Sequence, residues 1–281
     1  MINAVPHPQR QRITASDVAA SFDSARVKEL FCVAWVGRPL SNYCTPLFYN
    51  FGWSANSVTL VRTLLAGAAV VALGSGVPLF LAIAAALYYV TFVLDCVDGN
   101  LARLQDSASY WGKFIDGLSD AIYWLLAPLA TGIGLWVNGG HVLALMAGAV
   151  TTVLALFTEL ARNRLSFFRE WMISQTGPLT TDDETARGVP QRIEQAMTSI
   201  VLNGLFFAPP LLLLPDGGVY YLLALVSIQA LASIVWVVAI LLHGRAILGR
   251  GRRSIHAASV CIEDCEAGTR MLDVEKSCLK S

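Results

Sequence analysis

Six long apolar stretches joined by short connections dominate this chain. They run at about Val58–Leu73, Pro78–Val97, Phe114–Val137, His141–Ala161, Gln195–Leu214 and Val219–His243, each near the roughly 20 residues a helix needs to cross the hydrocarbon core of a bilayer. A single chain can satisfy its backbone in lipid within each such segment only as an α-helix. Composition agrees: 55% of residues are hydrophobic and only 14% charged, with a mean hydropathy of +0.57, whereas charged residues make up about a quarter of an ordinary globular domain. The expected class is an all-α integral membrane protein with six transmembrane helices, which excludes a soluble enzyme.

The connections alternate in charge. Gly74–Val77, Asn138–Gly140 and Pro215–Gly218 carry no Lys or Arg, while the basic residues gather on the other side: Arg38 and its predecessors, Arg103 and Lys113, Arg162 to Arg192, and the run from Arg245 to Arg253. By the positive-inside rule both termini are expected in the cytoplasm, with the chain in the inner membrane if its host is a bacterium. Residues 1–53 are expected to form a cytoplasmic tail and interfacial segment, 54–245 the six-helix transmembrane domain, and 246–281 a cytoplasmic tail. Within the first part, about Ser24–Phe51 mixes charges with aromatic anchors, as in an amphipathic segment lying in the interface, with Pro39 and Pro46 dividing it. Ser54 or Asn56 can cap the first span.

Other features exclude more than they assign. The first thirty residues have no uninterrupted apolar run, so no cleaved signal peptide is expected. The formal net charge is zero, and nothing supports nucleic acid as a partner. Six cysteines, three of them in the C-terminal tail, suggest free thiols, and Cys261 with Cys265 lacks the further ligands of a zinc site. Pro209-Pro210 should bend the fifth span. In the fourth connection, Arg162–Glu194, Leu165–Ile173 reads as interfacial and Gln175–Pro190 as a flexible loop that could cover or border a cytoplasmic site.

The chemistry is concentrated between the second and third spans. Asp95, Asp98, Gly99, Ala102 and Arg103 are followed, after eight residues, by Gly112, Asp116 and Asp120. On helices, Asp95 and Asp98 are i,i+3 neighbours and Asp116 and Asp120 are i,i+4 neighbours, so two helices joined by a short loop can face all four carboxylates together. Such a cluster at a membrane edge is expensive unless compensated. Oxygen-only ligands favour Mg²⁺ or Mn²⁺, and four carboxylates match the charge of two such ions, the usual clamp for phosphoryl transfer. Arg103 can reach phosphate oxygens held by the metals, which points to a pyrophosphate-containing substrate.

These residues resemble the signature of the CDP-alcohol phosphotransferases (CDP-alcohol phosphatidyltransferases), D-x-x-D-G-x-x-A-R, eight residues, G-x-x-x-D-x-x-x-D, and all eight set positions are matched. Upstream, Asn56, Thr59 and Arg62 are similar to the segment that opens the first span in many members, with Ala55 where a proline is common. The resemblance implies transfer of a substituted phosphate from a CDP-alcohol, most often CDP-diacylglycerol, to a hydroxyl acceptor, polar or lipid, with release of CMP, in phospholipid biosynthesis. It implies that Asp95, Asp98, Asp116 and Asp120 hold two divalent ions, that Gly99, Ala102 and Arg103 line the CDP site, with Gly112 beside them, that Asp120 is also the general base, and that the protein is a homodimer among membrane lipids.

Several residues have two readings. Thr59 and Arg62 can contact the nucleotide, but Arg62 can equally snorkel to headgroups. Arg162 and Arg164, with Glu159, can bind a polar acceptor or simply mark the membrane border, and Lys113 suits a headgroup contact. Two rival functions use the same aspartates: a Mg²⁺-dependent membrane prenyltransferase, whose acidic pairs typically lie on widely separated helices, and a divalent-cation transporter, whose carboxylates would sit near mid-membrane.

Overall fold

The computed structural model describes residues 12–22, 30–176, 199, 201–239 and 241, and every regular element among them is helical. The helices are α1 (Ala15–Ala20), α2 (Arg38–Asn50), α3 (Ala55–Ser75), α4 (Pro78–Leu104), α5 (Tyr110–Val137), α6 (Val142–Thr176), α7 (Val201–Leu213) and α8 (Gly217–Ala239). Five are long and apolar enough to cross a membrane: α3, α4, α5, α6 over Val142–Ala161, and α8 over Gly217–Val238. The expected fifth span is represented by α7, a shorter apolar helix; the start of that span lies outside the described residues, as do the end of the sixth and the tail with Cys261 and Cys265.

Local chemistry explains where the helices begin. The Ser54 hydroxyl accepts from the Ser57 N–H at 3.2 Å and caps α3, and Ser109 does the same for α5 through the Gly112 N–H at 3.0 Å. Pro78 sits in the first turn of α4, where its missing N–H is harmless. With 27 residues α4 is about 40 Å long, some two turns more than the hydrocarbon core requires. Those extra turns carry Asp98 to Arg103.

One expectation is corrected and two are sharpened. Pro39 and Pro46 do not divide the interfacial segment: Pro39 falls in the first turn of α2, directly after a wide π turn at Val33–Gly37, and Pro46 is absorbed within the helix. The apolar part of α6 ends at Ala161, and the helix continues through Thr176, so Leu165–Ile173 of the fourth connection is helical; most of the Gln175–Pro190 loop lies outside the described residues. At Pro209-Pro210 the α-helical turns of α7 stop, with a bend at Ala208, and the chain goes on as a 3₁₀ turn at Pro209–Leu213.

The described chain falls into two compact units, Met1–Leu156 with Thr198–Ala232, and Phe157–Met197 with Ser233–Ser281. In the first unit α3 packs along both α4 and α5, and α2 lies against α4. Val58, Leu94, Val97 and Leu101 form a buried cluster that seats Phe48 and Tyr49 of α2. A second cluster joins Leu73, Ala84, Ala127, Leu212 and Tyr221 further along the bundle. At that far end the backbones nearly touch. A Cβ on Gly134 of α5 would lie 2.7 Å from Gly76 N and 2.9 Å from Gly76 Cα, and Gly76 itself has a left-handed φ of 63°. Asn138 bridges the same turn, donating to Ser75 O and Gly134 O, both at 2.7 Å. In the second unit the Thr158 and Ser233 hydroxyls are hydrogen-bonded at 3.0 Å. Among the described residues, Cys32, Cys44 and Cys96 form no disulfide.

Candidate active site at the aspartate end of the bundle

Antiparallel succession brings the start of α3, the end of α4 and the start of α5 to one end of the first unit. There the two acidic pairs meet. Ligand oxygens of Asp95, Asp98 and Asp116 lie within 4.8 Å of one another, a spacing at which one cation could bind all three. Asp120 stands one turn further along α5, with its side chain the most exposed of the four at 60%.

Arg62 of α3 lies at the centre of this constellation. It is only 3% exposed, so its guanidinium does not snorkel to the surface. It donates to Asp95, to Asp116 Oδ1 at 2.6 Å and to Asp120 Oδ1 at 2.9 Å, and its Nε lies 3.7 Å from Asp98 Oδ2. One positive charge thus faces four carboxylates, and Nε is buried with no hydrogen-bond partner. That imbalance, with hard oxygen donors converging from two helices, fits a divalent cation. Thr59, one turn before Arg62, donates from its hydroxyl to Asp98 Oδ2 at 2.9 Å, and Thr63 pairs with Ser119 at 2.7 Å to join α3 and α5 beside the acidic residues.

A cavity of about 540 Å³ opens next to the cluster. Its walls include Thr59, Asp98, Gly99, Ala102, Arg103, Gly112 and Asp116, so most of the predicted nucleotide residues border one space. Gly99 keeps the wall low where Arg103 folds back over it: a Cβ at Gly99 would lie 3.6 Å from an Arg103 guanidinium nitrogen. Arg62, Asp95 and Asp120 are not on the cavity wall, whereas Asn56, Ser109, Tyr110 and Lys113 are. Lys113 therefore borders the cavity that sequence reasoning gave it no part in. Of the acceptor candidates, the Arg162 side chain lies outside the described residues. Arg164 belongs to the second unit, with its guanidinium carbon 5.3 Å from the Phe168 ring centroid.

Two features escaped the sequence reading. One is the four-way pairing of Arg62, whose partners are 33 to 58 residues away in sequence. The other is Asn100, buried behind Arg103 at 1% exposure and bonded to α2. The available signal was Ser41 and Thr45, two hydroxyls one helical turn apart in an aromatic-rich segment.

Comparison with known proteins gives no match among curated proteins. A profile of the CDP-alcohol phosphatidyltransferase family, however, matches residues 53–241, more than half of the chain and all of the site just described. The match favours phosphoryl transfer over prenyl transfer or ion passage and brings with it divalent-metal dependence, a CDP-alcohol substrate and an alcohol acceptor. The chain belongs to the CDP-alcohol phosphatidyltransferase family and is a membrane-bound transferase of phospholipid biosynthesis.

Proposed function

We propose that this enzyme transfers a phosphatidyl group from CDP-diacylglycerol to the hydroxyl of an acceptor alcohol, releasing CMP. The observation that carries the reading is the convergence of Asp95, Asp98 and Asp116 beside a cavity walled by Gly99, Ala102, Arg103 and Gly112. Asp95, Asp98, Asp116 and Asp120 hold two Mg²⁺ or Mn²⁺ ions. When bound, these ions supply positive charge to the pyrophosphate and to the phosphoryl group in transit.

The chain's own groups do the rest. Arg103 holds donor phosphate oxygens. Gly99, Ala102 and Gly112, lacking bulk, admit the nucleotide between α4 and α5, and Thr59 fixes the orientation of the Asp98 carboxylate through its hydroxyl. Arg62 pairs with all four carboxylates and keeps them together. Asp120, more exposed than the tight group of three, accepts the proton of the acceptor hydroxyl. The acceptor oxygen then bonds to the β-phosphorus as the bond from that phosphorus to the CMP oxygen breaks. Arg162 and Arg164 are candidates for holding a polar acceptor.

The six-span topology, a cytoplasmic site with both termini on the same side, an inner-membrane location in a bacterial host, and a homodimer belong to the same proposal. So does the division into residues 1–53, 54–245 and 246–281. Charge asymmetry of the connections supports the orientation.

The test is CMP release from CDP-diacylglycerol by the purified, detergent-solubilised protein, with a panel of hydroxyl acceptors and Mn²⁺, Mg²⁺ or EDTA. Metal-dependent release with one acceptor, lost in Asp120→Asn, is expected. Silence across the panel from folded protein, with activity on a small CDP-linked alcohol instead, would reject the lipid donor.

A further inference from the structure

We infer that Asn100 is a positioning residue, which holds the Arg103 guanidinium at the cavity and ties it to the interfacial helix α2. Asn100 is 1% exposed and is not among the cavity's walls, so it acts through its neighbours. Its amide uses its full hydrogen-bonding capacity. The two N–H groups donate to Ser41 Oγ at 3.2 Å and Thr45 Oγ1 at 3.1 Å. The carbonyl oxygen accepts from Arg103 at 2.6 Å and from Arg38 at 3.0 Å.

Directionality leaves little choice in this arrangement. Ser41 and Thr45 are both fully buried, and their hydroxyl protons go to the backbone carbonyls of Arg38 and Ser41. Only their lone pairs face Asn100, and these demand donors. Two guanidiniums on the other side have only donors to offer and demand an acceptor. A side-chain amide supplies both from one group, and in one orientation only. Phe22 closes the arrangement, with its ring centroid 4.0 Å from the Arg38 guanidinium carbon and 5.6 Å from that of Arg103.

The inference rests on the reading that Arg103 binds the donor's phosphates. It is tested by titrating CDP, in the presence of Mg²⁺, into the full-length detergent-solubilised protein and following the binding heat. Arg103→Ala is expected to weaken CDP by ten-fold or more, and Asn100→Ala by about 10-fold, the scale of one hydrogen bond to a charged group. The double variant should bind no more weakly than Arg103→Ala alone. Unchanged CDP affinity in Asn100→Ala, alongside a weakened Arg103→Ala, overturns the inference and leaves the Arg103 reading standing. Unchanged affinity in Arg103→Ala overturns that reading itself. A further loss on adding Asn100→Ala to Arg103→Ala assigns Asn100 a separate or general structural role, and overturns the inference too. Should Asn100→Ala not fold, the near-isosteric Thr45→Val removes one acceptor from the amide. It is expected to raise the CDP dissociation constant about 2- to 5-fold, only when Arg103 is present, and an unchanged constant overturns the inference.

Discussion

The two ends of the α3–α4–α5 bundle are built on opposite rules. At the far end glycine brings backbones together: Gly76, Gly134 and Asn138 leave no room for a side chain between α3 and α5. At the aspartate end the same helices stand apart around a cavity of about 540 Å³ and face charge rather than methylene. α3 shows the change within one helix, from Thr59, Arg62 and Thr63 to Ala66, Ala69, Ala72 and Leu73, all with small or apolar contacts. Close packing at one end makes it possible to hold four mutually repelling carboxylates in register at the other. The aspartate end has an apolar seat of its own in Val58, Leu94, Val97 and Leu101, so the two ends differ in what lines the space between the helices.

The sharpest way to break this contrast is Asp120→Asn. It should lower turnover roughly 10²–10⁴-fold while leaving the thermal unfolding midpoint in detergent close to that of the parent. A matching loss of stability would mean the aspartate end also carries the fold. Arg62→Gln comes next. Removing one partner from a buried charge cluster typically costs 3–5 kcal/mol, so the midpoint in EDTA should fall by roughly 10 °C. Excess Mn²⁺ should recover much of that difference, and equal loss with and without metal would contradict the view that guanidinium and cation balance the same carboxylates.

At the other end, Gly134→Ala forces a methyl group into the backbone of Gly76 and should destabilise by about 1–3 kcal/mol. The folded fraction should keep its specific activity within about two-fold. The smallest effect is expected from Thr59→Val, which deletes the hydrogen bond to Asp98 at a cost of about 1 kcal/mol. It should appear as a several-fold rise in the Mg²⁺ concentration needed for half-maximal rate, at unchanged maximal rate.

Much of the site was legible in the chain because its residues are close in sequence. Asp95 to Arg103 and Gly112 to Asp120 each occupy under three turns of one helix, and helical periodicity alone puts each pair on one face. Five apolar helices were legible from hydropathy, though not where the helices end: α4 runs seven residues past Val97 and α6 fifteen past Ala161, because a helix does not stop where its apolar stretch does. Partners from distant helices were not legible. Nothing in the spacing of Arg62 distinguishes a border arginine from one that pairs with four aspartates on α4 and α5, and Asn100 occupies a variable position of the signature. Proline also misled at Pro39 and Pro46, where first-turn placement and helix context override its usual role as a breaker.

The position of Arg62 bears on how such a protein is made. Helices enter a membrane in order of synthesis, and a second helix ending in Asp95 and Asp98 would arrive with two negative charges near the lipid. Arg62 is already there on the helix before it. Because it contacts both aspartates across the α3–α4 pair, the first hairpin carries its own counter-ion from the moment it closes. The pairing of Asp95 and Asp98 with Arg62 therefore need not wait for α5, nor for any metal.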